Sequence, residues 1–295
     1  MSAARPTARH HWPCALDVGE LTRCALAIEN RRAQHWEDLL LLPTQLALSL
    51  PMTGAVDRGT CRRRRETHRS LEMGAFDGMT YSNTLILERC CGWNVTLIEG
   101  NPTNFAKLKT SVRTGAKIHA AVCSNVSTMT FSSRGGVWAG ARASMPKANE
   151  KMTKGVDVPV PCAPLGTLLN EVGTGDGVSF FSLDVEGAEE LVLSTIDPAI
   201  FQMILIETHN LSPATNSRIA ERLKQHGRLI PSTSVRVKAS TVFLREGLRG
   251  VPISGVKFWP KPVLPTMEQI STALQEVWTL YGAGGGCRRD LPRRS

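Results

Sequence analysis

The feature that most constrains this chain is the order of elements in residues 71–99: an apolar strand, a glycine turn, a helix, a second apolar strand and an acid. Gly74 and Gly78 carry no Cβ, so the backbone can turn sharply there and come close to a ligand. The helix predicted over residues 80–91 would direct unpaired N–H groups and the positive end of its dipole at an anionic group. Glu99 ends the second strand, where a carboxylate can accept hydrogen bonds from a ribose diol. This order indicates a site for an adenosine-containing cofactor.

The spacing of the glycines distinguishes between cofactors of this kind. A dinucleotide fingerprint reads Gly-x-Gly-x-x-Gly, and its second glycine lets a pyrophosphate lie against the helix. Phe76 occupies that position here, so a pyrophosphate is poorly accommodated. With Glu72 the pattern becomes acid-x-Gly-x-x-x-Gly, which suits a ligand with an amino group and a carboxylate, such as the methionine end of S-adenosylmethionine. The glycines alone could form a plain strand-to-helix turn, but Glu72 and Glu99 together favour the ligand site.

The net charge of +9 lies mostly at the two ends of the chain and does not indicate nucleic-acid binding. Residues 1–70 contribute +4 and residues 281–295 contribute +3, which leaves +2 for everything between them. A groove that binds nucleic acid needs its basic residues on the folded body. We therefore predict no nucleic-acid partner.

Apolar runs and cysteines bear on the cellular location. The sequence has no apolar run of about 18 residues or more, so we predict no membrane-spanning helix. The eight cysteines contain no Cys-x-x-Cys pair and therefore no zinc spacing. We interpret Cys90, Cys91 and Cys123 as ordinary buried thiols, which favours a reducing, cytoplasmic location. Residues 1–9 contain arginine and no acid, so an organellar transit peptide stays open as an alternative.

The chain divides into three parts by its apolar pattern. Residues 1–62 show one candidate helix, at 20–42, and are predicted to be a poorly ordered or partly helical extension. Residues 63–262 alternate short apolar runs with amphipathic segments, which is typical of a parallel sheet with crossover helices. Residues 263–295 predict a helix and a basic tail.

Within the central part, residues 178–183 form a continuous apolar run, as expected of a buried parallel strand. Residues 128–154 are rich in Ser, Gly and Ala, and predict either a mobile insertion or a lid that orders over substrate. An edge strand is predicted at 156–160 and late antiparallel strands at 229–230 and 235–244. Further strands are predicted at 70–73, 95–98, 118–122 and 203–206, and helices at 102–113, 164–172 and 213–226.

Polar residues follow four of the predicted strands. The four groups are residues 72–78, Glu99, Asp184 with Glu186, and Glu207 with His209. Ligands of an open parallel sheet bind outside the carboxyl ends of its strands, so we expect these groups to form one site. Asp184 could instead cap the following helix, and His209 could be a solvated or core histidine.

Three segments resemble the FkbM family of S-adenosylmethionine-dependent methyltransferases. They are residues 72–84, Leu-Ile-Glu-Gly-Asn-Pro at 97–102, and Leu-Asp-Val-Glu-Gly-Ala-Glu-Glu-Leu-Val-Leu at 183–193. The resemblance covers about 70–245, and its most particular mark is Asp-x-Glu-Gly-x-Glu after the fourth strand. It implies a seven-stranded Rossmann-like α/β sheet, mostly parallel with a late antiparallel strand and helices on both faces. It also implies methylation of a hydroxyl on a sugar or other small molecule, so a small-molecule or glycan acceptor is the expected partner.

The same resemblance implies roles for individual residues. The turn at 74–78 would line the methionine moiety, Glu99 would hold the ribose, and the strand end at 120–122 would lie near adenine. The residues that the resemblance assigns to cofactor binding are Glu72, Gly74, Ala75, Asp77, Gly78, Ser82, Asn83, Glu99, Ala121 and Asp184.

An alcohol is a poor nucleophile near neutral pH, so methyl transfer to it calls for a general base. We hypothesise that Asp184 or His209 serves as the base and that Glu186 orients its partner or the substrate. Oxygen ligands at Asp184, Glu186 and Glu207 would suit magnesium or calcium, but no ligand spacing demands a metal and none is predicted.

Two other readings of the sequence remain. A methyltransferase-like binding protein without turnover would keep the same sheet and the same glycine turn. An NAD-dependent oxidoreductase is disfavoured by Phe76 and by the absence of a Tyr-x-x-x-Lys pair. The sequence does not indicate the acceptor or the oligomeric state.

Overall fold

The computed structural model describes residues 18–28, 37–48, 68–145, 151, 154–175, 177–248, 250–254 and 265–277. Its strands in chain order are β1 Arg69–Met73, β2 Asn94–Glu99, β3 Ala116–His119, β4 Ala121–Val122, β5 Ser127–Ser132, β6 Asp157–Ala163, β7 Val178–Leu183, β8 Phe201–Glu207, β9 Leu229–Pro231 and β10 Ser240–Arg245. Its helices are α1 Val18–Ala27, α2 Glu37–Leu48, α3 Leu85–Cys91, α4 Pro102–Thr110, α5 Leu165–Glu171, α6 Glu189–Ser194, α7 Pro213–Gly227 and α8 Met267–Val277.

The centre of the molecule is a seven-stranded sheet in the order β3-β2-β1-β7-β8-β10-β9. The pairs from β3 to β8 are parallel, and β10 runs antiparallel to both β8 and β9. The predicted fold class, a mostly parallel seven-stranded sheet with a late antiparallel strand, is confirmed.

Successive side chains of a strand point to opposite sides of the sheet, and helices cover both sides. Phe180 of β7 packs in a core layer with α1, α2, α3 and α8. The next residue, Phe181, packs in the opposite layer with α5, α6 and α7. This double burial explains why β7 reads as a continuous apolar run. Helices on both faces are therefore confirmed as well.

The extension and the tail contribute helices to this body. The candidate helix at 20–42 is two helices, α1 and α2, and residues 29–36 between them lie outside the described residues. α1 and α2 both pack against α8 from the predicted tail. The predicted boundaries at 62 and 262 stay a prediction, and the basic clusters at 62–65 and 288–294 also lie outside the described residues.

The segment predicted as an insertion or lid contains regular structure. β5 occupies its start and pairs antiparallel with β6, while β4 pairs parallel with β6 on the other side. The prediction of an edge strand at 156–160 is therefore wrong, because β6 is the middle strand of this three-stranded sheet. The predicted strand at 118–122 is also divided, into β3 of the large sheet and β4 of the small one. Residues 133–145 form the loop that follows β5.

The prediction that Cys90, Cys91 and Cys123 are buried thiols is wrong for Cys90 and Cys123, which form disulfides. Disulfides join Cys24 to Cys90 and Cys123 to Cys162, while Cys91 is a buried free thiol. The first bond ties α1 to α3, and the second ties the end of β4 to β6. Sequence spacing did not reveal these bonds because both pairs join segments far apart in the chain.

Among the described residues, no helix has the length and apolar character needed to cross a bilayer.

The disulfides predict a definite pattern of chemical labelling. An alkylating reagent added to the denatured, unreduced protein should modify Cys91, and should modify the four paired cysteines only after reduction. Replacing Cys123 and Cys162 together by Ala should lower the free energy of unfolding by about 2–4 kcal/mol, because the unfolded chain gains freedom. Peptide mapping and denaturant titration measure the two effects, with Cys91→Ala as the control that keeps both bonds. Labelling of Cys24 or Cys123 before reduction would contradict the pairing.

Candidate functional site

The site lies where the strand order of the large sheet reverses, between β1 and β7. Chain connections from β1 lead to β2 on one side, and those from β7 lead to β8 on the other. In doubly wound sheets this crevice, at the carboxyl ends of the strands, is where ligands bind. Met73 at the end of β1 lies opposite Ile98 and Leu183. The next residues along the three strands, Gly74, Glu99 and Asp184, therefore lie at one edge.

Gly74 allows the ends of β1 and β7 to approach each other. Its φ is +84°, and a Cβ built on it would lie 1.7 Å from the carbonyl oxygen of Asp184. The Gly74 N–H donates to Ile98 O at 3.1 Å, and the Asp184 N–H donates to Met73 O at 3.1 Å. No residue with a side chain fits this position unless the main chain shifts.

The loop after Gly74 is organised by the two acids of the motif. Asp77 Oδ1 accepts hydrogen bonds from the N–H groups of Met79 and Thr80 at 2.8 and 2.7 Å. Glu72 accepts from the Asn83 N–H at 2.7 Å. It also accepts from the hydroxyls of Ser82 and Thr84, at 2.7 and 2.6 Å.

These bonds delay the start of the following helix. It begins at Leu85 and not at residue 80, so the predicted helix N-terminus directly after the glycine turn is wrong. The carboxylates of Glu72 and Asp77 hold their own loop. Their assignment to cofactor binding stays a prediction. The hydrogen bonds show that both carboxylates also stabilise the loop.

Asn83 connects this loop to β7. Its Nδ2 donates to Ser182 Oγ at 3.0 Å. Its Oδ1 is buried and has no hydrogen-bond partner among the described residues. A buried acceptor without a donor is costly, so Asn83 offers an acceptor to an amino group that reaches the loop.

A buried arginine that the sequence analysis did not identify supports the same loop. Arg113 Nη1 donates to Gly78 O at 2.6 Å, and Nη2 donates to Thr84 Oγ1 at 2.8 Å. Its charge is paired with Glu88 of α3. No local motif marks Arg113, because its partners lie 25 to 35 residues away in the chain.

Glu99 is buried and joins β2 to the glycine loop. Its Oε2 accepts from the Phe76 N–H at 2.8 Å, and its Oε1 accepts from the Asn101 N–H at 2.7 Å. Burial raises the pKa of Glu99 to about 7, against the lowering effect of these hydrogen bonds, and the charge of Asp184 raises it further. Each carboxylate oxygen can accept a second hydrogen bond, so Glu99 can still bind a hydroxyl.

A cavity lies between the ends of β1, β2 and β7 and the loop after β5. Four residues that the sequence assigned to cofactor binding line it: Gly74, Glu99, Ala121 and Asp184. The wall opposite β1 is formed by residues 139–141 of the loop after β5. The cavity volume is about 40 Å³, well below the roughly 300–1,000 Å³ of a typical small-molecule site. A nucleoside therefore enters only if the walls of this cavity move apart.

A second group, which we call the acidic group, consists of Asp184, Glu186 and Glu207. The carboxylate oxygens of these three residues lie within 4.8 Å of one another. Although Asp184 as a residue is exposed, burial of its carboxyl group, followed by the charge of Glu207 and a hydrogen bond to it, raises the pKa of Asp184 well above its usual range. Burial also raises the pKa of Glu207 to about 7. The two neighbouring carboxyl groups therefore favour a state in which they are not both charged.

His209 extends the acidic group towards solvent. Its Nδ1 lies 3.3 Å from Glu207 Oε1, and half of its side chain is exposed. The sequence left His209 open as a solvated, core or catalytic residue, and the structure places it beside Glu207. Glu207 entered the sequence analysis only as a strand-end residue and a metal candidate, although it lies between Asp184 and His209.

The capping alternative for Asp184 does not match the structure. α6 begins after Ala188, which makes no side-chain capping bond. Glu189 instead holds the turn, since its Oε1 accepts from the N–H groups of Val185 and Gly187 at 3.1 and 3.3 Å. Glu186 is buried with a φ of +56°. The three oxygens of the acidic group could bridge a cation, and the expectation that no metal is used stays a prediction.

A larger depression of about 680 Å³ lies elsewhere on the surface, near the amino end of β8. Its lining includes Pro198, Arg222 and His226. None of the residues that the sequence assigned to the site lies there.

Gly74 and Gly92 provide a matched test of this geometry. Gly74→Ala should abolish binding of S-adenosylhomocysteine, because the added methyl group would push the main chain of Asp184 away. Gly92 also has a positive φ, +68°, but nothing lies within 4 Å of its built Cβ. Gly92→Ala should therefore cost about 1 kcal/mol of stability and leave binding intact. Isothermal titration and thermal unfolding measure both. Equal binding by the two variants would contradict the close approach.

The family model for the methyltransferase FkbM domain matches residues 72–230. No curated protein matches this chain. Among solved structures, the FkbM methyltransferase of Methylobacillus flagellatus KT is 12% identical with a TM-score of 0.39; the match covers 75% of this chain and 58% of that one. This chain thus spans 58% of the length of that relative.

Two further solved structures show a similar level of likeness. The O-methyltransferase of Bacillus cereus, in complex with SAH, is 10% identical with a TM-score of 0.36, over 77% of this chain and 90% of that one. The precorrin-6y C5,15-methyltransferase of Geobacter metallireducens GS-15 is 12% identical with a TM-score of 0.32, over 62% and 83%. TM-scores this low carry no argument about the site. The family model, however, spans more than half of the chain, and the chain therefore belongs to the FkbM methyltransferase family.

Proposed function

We propose that this protein is an S-adenosylmethionine-dependent O-methyltransferase that acts on a hydroxyl of a sugar or other small molecule. The observation that carries the proposal is the position of Glu99 and Asp184 on either side of Gly74, at the point where the strand order reverses. The family membership supports methyl transfer, and the acidic group beside the cavity supports a hydroxyl as the acceptor.

The residues of the cavity fit the cofactor. Glu99 has free acceptor capacity for the ribose hydroxyls, and Ala121 offers an apolar surface to adenine. Asn83 is not part of the cavity lining, and its buried Oδ1, in the loop after Gly74, is the acceptor proposed for the amino group. When bound, the cofactor supplies an activated methyl group, so the protein has mainly to align the acceptor and exclude water.

Glu207 is our candidate for the general base. Its pKa of about 7 suits proton transfer at neutral pH, whereas burial and the charge of Glu207 favour the protonated form of Asp184 by raising its pKa. Asp184 would orient Glu207 through their hydrogen bond. His209, half exposed at 3.3 Å from Glu207, would pass the proton to solvent.

Three substitutions separate these roles. Glu207→Gln should lower kcat by about 10²–10⁴-fold at saturating cofactor, because the base is lost. Asp184→Asn keeps a hydrogen-bond donor towards Glu207 and should lower kcat less; unchanged turnover would eliminate Asp184 as the base. His209→Gln should reduce turnover, because the route by which the proton passes from Glu207 to solvent is lost. If Glu207→Gln retains full turnover while Asp184→Asn does not, the two roles are reversed.

Stability should depend on pH through the same carboxyl groups. Glu99 and Glu207 have their pKa raised from 4.5 to about 7. Between these values the folded protein holds protons that the unfolded chain releases, so the free energy of unfolding falls as pH rises through this window. Urea titrations between pH 4.5 and 8 measure the slope, which should be smaller in Glu207→Gln and unchanged in the exposed control Glu171→Gln. A stability that rises with pH would contradict the raised pKa values.

The alternative function is a methyltransferase-like binding protein without turnover. Titration with S-adenosylhomocysteine beside NAD, followed by an assay with labelled methyl donor, distinguishes the readings. Binding of S-adenosylhomocysteine with turnover supports the enzyme, and binding alone supports the alternative. Binding of NAD only would favour the oxidoreductase. If activity survives a chelator, the acidic group works without a metal.

Location and partners complete the proposal. A small-molecule or glycan acceptor is proposed, with no nucleic-acid partner. The cytoplasmic location stays a prediction, and the two disulfides count against it, because such bonds persist mainly in oxidising compartments. Cell fractionation, with detection by an antibody to the protein, distinguishes the cytoplasm from an oxidising compartment.

A further inference from the structure

The loop formed by residues 133–145 is anchored at one end to the start of α4. Asn104 Oδ1 accepts from the Gly136 N–H at 2.9 Å, and Asn104 Nδ2 donates to Gly136 O at 2.9 Å. Asn101 Nδ2 donates to Ser132 O at 2.7 Å. This end of the loop therefore has a defined position above β2.

The other end of the loop lies against the acidic group. A Cβ built on Gly140 would lie 3.0 Å from Glu186 Cβ and 3.4 Å from Val185 O, so the loop main chain touches this strand end directly. Ala141 pairs with Phe131 of β5. The loop main chain thus contacts both the cofactor cavity, which residues 139–141 line, and the strand end at Glu186.

Trp138 is at the centre of a turn between these two anchored ends. The Ala139 N–H donates to Gly136 O at 3.3 Å, which places Val137 and Trp138 in the middle of the turn. Trp138 is 45% exposed, whereas tryptophan is highly buried on average. Its Cα lies at most about 7.6 Å from that of Gly140, because consecutive Cα atoms are 3.8 Å apart. Trp138 is therefore attached to the segment of main chain that contacts Glu186.

We infer that Trp138 contacts the methyl acceptor and contributes to acceptor specificity, an inference that rests on the proposed function. The indole offers a flat apolar face, and the acidic group offers hydrogen-bond acceptors. Together they fit an acceptor with an apolar ring face and hydroxyl donors at its edge. The acceptor hydroxyl would reach past this rim into the cavity, because methyl transfer needs it in line with the methyl group.

The test uses the dialysable fraction of a cell extract as the acceptor and labelled S-adenosylmethionine as the donor. Trp138→Ala should raise the amount of extract needed for half-maximal rate about tenfold. Trp138→Phe should raise it less, because a phenyl ring keeps an aromatic face. Val126→Ala is the control, since Val126 is 77% exposed at the opposite end of β5 from the loop. All three variants should bind S-adenosylhomocysteine as the wild type does.

The outcomes separate this inference from the function on which it rests. No methyl transfer by the wild type overturns the proposed function, and the role of Trp138 with it. If the wild type transfers methyl groups but Trp138→Ala needs the same amount of extract for half-maximal rate, only the role of Trp138 is overturned. Loss of S-adenosylhomocysteine binding in Trp138→Ala would show that the ring serves the cofactor cavity or the fold, and would equally overturn the inference.

Discussion

The approach of Gly74 to the main chain of Asp184 is the constraint on which the rest of the site depends. β1 is hydrogen-bonded to β2 on one side and to β7 on the other, and both neighbours continue these bonds past its end. Glu99 and Asp184 are thereby held on either side of one glycine. A side chain at position 74 would push β7 away, and with it the acidic group and the turn that Glu189 holds.

The carboxyl groups of the site divide into two kinds according to their partners. Glu72, Asp77, Glu99 and Glu189 accept hydrogen bonds from backbone N–H groups and so fix the loops around the cavity. Asp184 and Glu207 have carboxylate oxygens within 4.8 Å of each other, and the charge of Glu207 adds to the effect of burial in raising the pKa of Asp184. Buried carboxyl groups whose pKa is shifted in this way are common at sites of proton transfer, and their presence lowers stability as pH rises.

Much of the site could be predicted because it depends on the order of residues within short segments of the chain. Gly74, Glu99 and Asp184 each follow a strand, and parallel strands bring such residues to one edge whatever the details of packing. The start of α3 could not be predicted, because it depends on hydrogen bonds that Glu72 accepts from residues 82–84 and that override the propensity of residues 80–84. Arg113, both disulfides and the middle position of β6 were missed for a related reason: each is a contact between segments distant in the chain.

The sequence by itself determined the mostly parallel sheet and the acids at the ends of its strands, because apolar periodicity and glycine placement are properties of neighbouring residues. Only the tertiary structure decided which acids have a raised pKa. Asp184 follows β7 and Glu207 ends β8, and their pKa values depend on burial and on neighbouring charges that come together only when β7 and β8 are paired. The covering loop and its tryptophan likewise acquire a place beside these acids only through folding.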